Sequence, residues 1–349
     1  MQESARLGAT QPSFETAAET MGRLSRIGIS DSTVWRHFQE MGSGLETQLE
    51  QEEQEIPFYV SLKDTAAMEW IEPQEPIKED ASVSIDGVKI LTRDAGYKEV
   101  KIVAVSEVVA EPEPQKSVSE PKATADDGKG SQAAAEKGRG RQDDIKLTAH
   151  SYRAVLGDKA AFVPALKGEL ARRRVRTAAK ISTPNDGADW IWDLVEKYLP
   201  ERRVEILDWS HAVQNLAKAG KAGWGEGTAE AQVWLEERKA ELWNGDVVKV
   251  ELGLEQLPRR YKERGDHIRQ VKAYIDQHAN RLRYKTFREE KRPIGSGTVE
   301  SAARNVVTWR MKRGGQRWSN GGAIRMLVAL GEVHSGRWEA RMQNLAQAA

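Results

Sequence analysis

Residues 175–220 read VRTAAKISTPNDGADWIWDLVEKYLPERRVEILDWSHAVQNLAKAG. The order of elements in this stretch decides the fold class. VRTAAKIST is a short run with β-branched residues and reads as a strand. PNDGADW holds turn residues and opens the helix WIWDLVEKYL. RRVEILDW reads as a second strand and SHAVQNLAKAG as a second helix. Strands that alternate with helices predict an α/β unit.

Upstream, residues 81–110 add strands of another kind. ASVSIDGVKI and KEVKIVAVSEVV alternate apolar and polar residues, and TRDAGY between them holds turn residues. Two or three antiparallel strands are expected here. Residues 111–144 contain one bulky aliphatic, Val118, and no aromatic. Such a segment cannot bury enough apolar surface to order itself, so a disordered insert is expected. The stretch HSYRAVLGDKAAFVPALKGELARRR, residues 150–174, reads as helical.

The two ends of the chain are helical in pattern. In FETAAETMGRLSRI, Phe14, Ala18, Met21 and Leu24 fall on one helical face. Gly28 breaks that helix, Ser30 is a good N-cap for DSTVWRHFQEM, and Gly42 is expected to stop it. Residues 13–42 thus have the layout of a helix-turn-helix, with Ser32, Thr33, Arg36 and His37 facing outward. The pattern alone fits an ordinary helical hairpin equally well. Residues 225–290 are almost wholly helix-like. After PIGSG a further helix begins at Thr298 and runs to Arg313, and residues 320–346 look helical too.

Composition bounds the function. The 349 residues include no cysteine, which excludes disulfides, thiol nucleophiles and thiolate zinc sites. No apolar run approaches the length of a membrane span, and the N-terminus lacks a signal-peptide layout. Net charge is zero, from 53 bases and 53 acids, but it is unevenly spread. Residues 40–80 hold 12 acids and 2 bases, which makes 43–80 an acidic connector, whereas residues 301–349 hold 8 bases and 2 acids. A neutral chain with a basic end can bind a polyanion locally.

Three acids stand at positions that suit chemistry. Asp86 is expected at a strand end, Asp186 just after a strand, and Glu300 in the first turn of a helix, each with glycine nearby. Three converging carboxylates make a hard-oxygen site for Mg²⁺. The same positions also suit plainer roles: Asp186 as a helix cap and Glu300 as a complement to a helix dipole.

The string RPIGSGTVESAARNVVTWRMKRGGQRWS resembles the C-terminal signature of bacterial insertion-sequence transposases of the Kra type, DDE enzymes related to the Mutator-like transposases. SIDGVKILTRDAGYKEVKI, NDGADWIWDL, EILDWSHAVQNL and the N-terminal SRIGISDSTVWRHFQEMG resemble the same family in the same order. The resemblance spans roughly residues 15–340 apart from the insert. It implies a ribonuclease H-like core over 81–349, interrupted by an all-α insertion at 220–290, behind an N-terminal helix-turn-helix. It places a DDE triad on Asp86, Asp186 and Glu300 as ligands of two Mg²⁺ ions, with Mn²⁺ able to substitute. It puts Asp208 and His211 near that site; the residues alone also allow His211 a packing role at a helix start.

The resemblance further implies cleavage at transposon ends and strand transfer into target DNA. The expected partner is double-stranded DNA, with a homo-oligomer assembled on it, and the expected location is cytoplasmic, at the nucleoid. Many relatives carry an upstream cysteine-based zinc region that this chain lacks, so a shortened, catalytically idle copy acting as a DNA-binding regulator is the alternative. Arg304, Arg310, Lys312, Arg313 and Arg317 lie within 14 acid-free residues beside Glu300, where DNA contact is expected. Trp309 and Trp318 interleave with them, placed to stack on bases or to pack in the core.

Overall fold

Strand β1 (Asp80–Thr92) and strand β2 (Gly96–Ala110) are joined by only three residues, so they pair as a hairpin. Gly96 makes the turn possible with its positive φ of 66°, and the Thr92 hydroxyl donates to the Gly96 carbonyl at 2.8 Å. Strand β3 (Ile145–Leu156) follows. Its amino-terminal flank is closed by the Glu111 N–H, which donates to the Asp144 carbonyl at 3.0 Å. A helix was expected over 150–174. Instead, IKLTAHSYRAVL takes the strand and Asp158 then caps helix α4 (Lys159–Arg172), accepting from the Ala161 N–H at 2.9 Å. The sheet supplies β3 with a neighbour, which overrides its local helical propensity.

The structure is a computed structural model that describes residues 1–55, 76–111, 142, 144–258 and 262–348. Most of the insert expected at 111–144, namely residues 112–141 and 143, lies outside the described residues, as do residues 56–75 of the expected connector. The chain divides into two compact units. One comprises Met1–Glu107, Leu147–Val204 and Ser296–Ala349, the other Val108–Lys146 and Glu205–Gly295. The division falls within β2, β3 and β5 (Val204–Leu207). With β4 (Lys180–Asn185), the strands form a mixed open sheet of order β3-β2-β1-β4-β5, so the chain is α/β.

The first unit carries helices α1 (Gln2–Thr10), α2 (Phe14–Ser25) and α3 (Asp31–Glu55) at its start. After α4 comes α5 (Asp189–Tyr198). At the end stand α11 (Gly297–Ala302), α12 (Asn320–His334) and α13 (Trp338–Ala348). Helix α11 continues through a π-helical turn, Ala303–Thr308, and closes at Met311, two residues before the expected end. One core joins Ile90, Val100 and Ile102 of the sheet to Phe38, Leu45 and Leu49 of α3, Val299 of α11, Val306 of the π-helical turn, and Met326 and Leu330 of α12. Helix α3 does not stop at Gly42. A Cβ at Gly42 would stand 3.1 Å from Arg325 Cβ, and one at Gly44 3.1 Å from Leu345 Cδ2. These glycines are points of close helix approach rather than helix ends.

The second unit is helical: α6 (Trp209–Trp224), α7 (Ala229–Trp243), α8 (Val247–Glu255), α9 (Lys262–Gln277) and α10 (Tyr284–Glu289). Helix α6 packs on α7 and α9. Trp209 meets Trp243 and Tyr284 edge-on, with ring centroids 5.3 and 5.0 Å away. Among the described residues no helix is long and apolar enough to cross a membrane.

Candidate functional site

The parallel pairing of β1 with β4 sets the site. Asp80, Ala81 and Ser82 pair with Lys180, Ile181 and Ser182, a constant offset of 100. The same offset holds at Ile85, whose N–H donates to Asn185 Oδ1 at 2.6 Å. Asp86 and Asp186 are the next residue on each chain. Because β4 ends at Asn185, the two aspartates stand at the carboxyl end of the parallel pair. Open α/β sheets form their ligand crevices at such ends. Asp86 was expected at a strand end. It lies within β1, which runs on beside β2 after β4 has left.

Backbone amides orient both carboxylates. The Gly87 N–H donates to Asp86 Oδ1 at 2.6 Å, and the Ala188 N–H donates to Asp186 Oδ1 at 2.9 Å. Asp186 therefore forms an Asx turn ahead of α5. The N-cap of that helix is Ala188, which offers no side-chain bond. Gly87 stands close to Glu99, whose Oε1 would lie 2.7 Å from a Cβ there and would have to swing aside. Glu99 in turn pairs with buried Lys101, whose ammonium sits 3.9 Å from the centroid of the Trp190 ring.

Glu300 is exposed in the first turn of α11, as expected. Ser296 Oγ donates to its Oε1 at 3.3 Å. Helix α11 packs against β1, and Val299 and Ala302 enter the core, which turns the intervening Glu300 outward. Among the described residues, Asp86, Asp186 and Glu300 do not offer three ligand oxygens within 4.8 Å of one another. The register brings the two aspartates to one end of the parallel pair, and the glutamate stands on the helix packed against β1, the strand of Asp86.

In the second unit, Asp208 is 1% exposed and caps α6. Its Oδ1 accepts from the His211 N–H at 2.8 Å and lies 2.9 Å from His211 Nδ1. One carboxylate oxygen thus starts the helix and fixes the imidazole plane. Buried Tyr284 donates its hydroxyl to the Leu207 carbonyl at 2.9 Å. Burial, with the Asp208 charge adding, pushes that phenol far above its usual range.

At the N-terminal helices, Ser30 takes the capping role expected of it and accepts from the Thr33 N–H at 3.1 Å. Ser32 and Arg36 are exposed, and Thr33 is half-buried. His37 departs from its expected outward placement: it is half-buried, with Nδ1 3.1 Å from Ser4 Oγ. Ser4 belongs to α1, a helix the sequence reading did not anticipate. Of the basic segment, Arg304, Lys312, Arg313 and Arg317 are exposed. Arg310 is not. It is 2% exposed and lies between Phe14 and Trp318, its guanidinium carbon 5.1 and 5.4 Å from their ring centroids. The helix face that carries Val306 and Val307 into the core carries Arg310 inward with them.

Sequence reasoning also missed Asn185, which nothing but its place before Asp186 distinguishes. Its buried amide replaces a main-chain partner for Ile85 where the ladder ends, and Nδ2 donates to the Thr183 carbonyl at 3.2 Å. The preceding Pro184 brings no N–H to the ladder. No family model matches the chain, and no curated protein matches it.

Proposed function

We propose that the protein is a DDE transposase with a ribonuclease H-like core, which cleaves DNA at transposon ends and transfers the freed 3′-hydroxyl into target DNA. The observation that carries this reading is the β1–β4 register, which makes Asp86 and Asp186 neighbours at the carboxyl end of a parallel pair. The mixed five-stranded sheet is compatible with such a core.

The donor set fits Mg²⁺, since Asp86, Asp186 and Glu300 offer only hard carboxylate oxygens. Bound Mg²⁺ supplies Lewis-acid neutralisation of the charge that builds on a phosphoryl group under attack. The chain's own contribution is positional. The Gly87 and Ala188 amides hold the aspartates in fixed orientations, and exposed Arg304, Lys312 and Arg313 offer cations to the phosphate backbone. Water attacks the scissile phosphorus first and frees a 3′-hydroxyl. That hydroxyl then attacks target DNA and displaces another 3′-oxygen.

The test is Mg²⁺-dependent nicking and strand transfer on DNA made from the sequences that flank the gene, inverted repeats among them being the expected substrate. Asp86→Asn, Asp186→Asn and Glu300→Gln should each lower cleavage by several orders of magnitude while DNA binding holds. Full cleavage by any of the three sinks the triad. A second reading, a non-catalytic DNA-binding regulator, is favoured because, among the described residues, these three carboxylates do not all bring a ligand oxygen within 4.8 Å of one another. It expects the wild-type chain to bind these ends and cut nothing.

A further inference from the structure

A cleft of about 1110 Å³ opens in the first unit between α2, α3 and the loop that leads into α12. Its lining includes four arginines, Arg93, Arg310, Arg317 and Arg325, and no acid. Arg325 is neutralised by Glu46, 3.3 Å away. Arg93 donates through Nε to the Arg317 carbonyl at 3.2 Å. That bond leaves its charge unbalanced and fastens the loop that carries Arg317.

Arg310 is the unusual member. Among the described residues it is a buried cation with no carboxylate beside it. Its one hydrogen bond is long, from Nη2 to the Gly8 carbonyl at 3.4 Å, and its buried Nε has no hydrogen-bond partner. A buried charge is ordinarily paired, because desolvation is otherwise uncompensated. Burial, with nearby Arg313 adding, brings its pKa down to about 10, so it still carries its charge at neutral pH. Gln316, also in the lining, has a buried Oε1 without a partner. Both atoms are buried in the cleft wall, so the wall itself holds polar groups that the fold leaves unsatisfied.

The start of α12 adds a second attraction for an anion. Ser319 caps that 15-residue helix, accepting from the Gly322 N–H at 3.2 Å, and Gly321 and Gly322 bring its first turn to the cleft wall. The amino end of a helix carries partial positive charge and amide donors. Trp35 of α3, also in the lining, is 51% exposed, which offers an indole to this cationic cleft. Such a ring stacks readily on a planar base.

We propose that this cleft binds a nucleotide unit, with its phosphate held by Arg310, Arg317 and the α12 start and its base stacked on Trp35. The shared chemistry is a phosphate attached to a planar base, carried by a free nucleotide or by a single nucleic-acid strand. The site requires neither the carboxylates nor a metal ion, so its test is independent of cleavage, although Arg310 and Arg317 are among the residues expected to contact DNA in the transposase reading.

Titration calorimetry of the full chain without divalent metal tests it, with inorganic phosphate, adenosine monophosphate and a short single-stranded oligonucleotide as probes. The nucleotide or the oligonucleotide should bind, and whichever is tighter names the source. Inorganic phosphate should bind more weakly than the tighter probe. Arg310→Met should weaken that probe about tenfold or more, the scale of one lost charge-assisted hydrogen bond. Its melting temperature should be no lower than that of the wild type, because an apolar chain replaces an unpaired buried charge. Arg317→Ser and Trp35→Ala change exposed side chains and should also weaken binding, with Trp35→Ala sparing inorganic phosphate. The proposal fails if neither nucleotide probe binds at millimolar concentration, if phosphate binds as tightly as they do, or if folded Arg317→Ser and Trp35→Ala both bind as the wild type does.

Discussion

At the residue scale, a single amide connects the end of a strand to the candidate site. Asn185 Oδ1 receives the Ile85 N–H, and both residues are buried. Asn185→Ala leaves that donor without a partner, which costs about 1–3 kcal/mol. Urea unfolding should register the change as a lower midpoint at unchanged slope. The bond also fixes the relative height of β1, which carries Asp86, and β4, which Asp186 follows. The same variant should therefore lower metal-dependent cleavage by more than its reduced stability explains, measured on protein shown to be folded. In the second unit, one oxygen of Asp208 serves both a helix cap and a histidine.

At the element scale, helix α3 and the stretch after Glu300 show how packing sets helix ends. Gly42→Ala gains about 1 kcal/mol of helix propensity. The added methyl group meets Arg325 Cβ at 3.1 Å, an atom fixed by the α12 backbone, and overpacking of this kind costs about 1–3 kcal/mol. The expected net effect is a lower melting temperature. Gly28→Ala is the control, with nothing within 4 Å, and should leave it unchanged. The π-helical turn Ala303–Thr308 begins three residues after Glu300, and π turns are frequent at functional sites. Arg304 lies within that turn, and Lys312 and Arg313 follow it, all exposed. Neutralising these three should weaken DNA binding for all sequences alike. The log–log salt slope should fall by about one unit for each phosphate that is no longer neutralised. An unchanged slope would remove them from the DNA surface.

At the scale of the first unit, a buried ionic network ties its helices together. Glu53 receives Arg153 at 2.7 Å, Glu169 receives Arg337 at 2.9 Å, Glu332 receives Arg341 at 2.9 Å and Glu52 receives Arg172 at 3.1 Å. The four glutamates balance the four arginines and join α3, β3, α4, α12 and α13. Burial alone would raise the Glu169 and Glu332 carboxyls, but the surrounding guanidiniums, Arg337 foremost, hold both at about 2. A depressed folded pKa contributes stability that is present above the unfolded value and lost as pH falls toward the folded one. The stability these two carboxyls contribute should therefore be lost between about pH 4.5 and 2, as followed by thermal melts across that range. Glu332→Gln leaves buried guanidiniums without their partner and should cost about 3–5 kcal/mol at neutral pH.

Some features of this chain are legible in its residues without any partner. These are the alternation of strands and helices over 175–220, the hairpin before it, the cap at Ser30 and the basic character of the C-terminal end. Each is local, set by side-chain period, turn residues or charge within a few positions. Other features come from packing between distant segments. Ile145–Leu156 is a strand because a neighbouring strand completes its hydrogen bonds. Gly42 and Gly44 lie inside a helix because other helices press on them. Asp86 and Asp186 are neighbours because a parallel pairing with an offset of 100 closes the distance between them, a register no local pattern contains. Arg310 reads as one more exposed cation in a basic run, yet the face shared with Val306 and Val307 takes it into the protein. Partners far apart in sequence set these outcomes, and a linear pattern carries neither their identity nor the burial they impose.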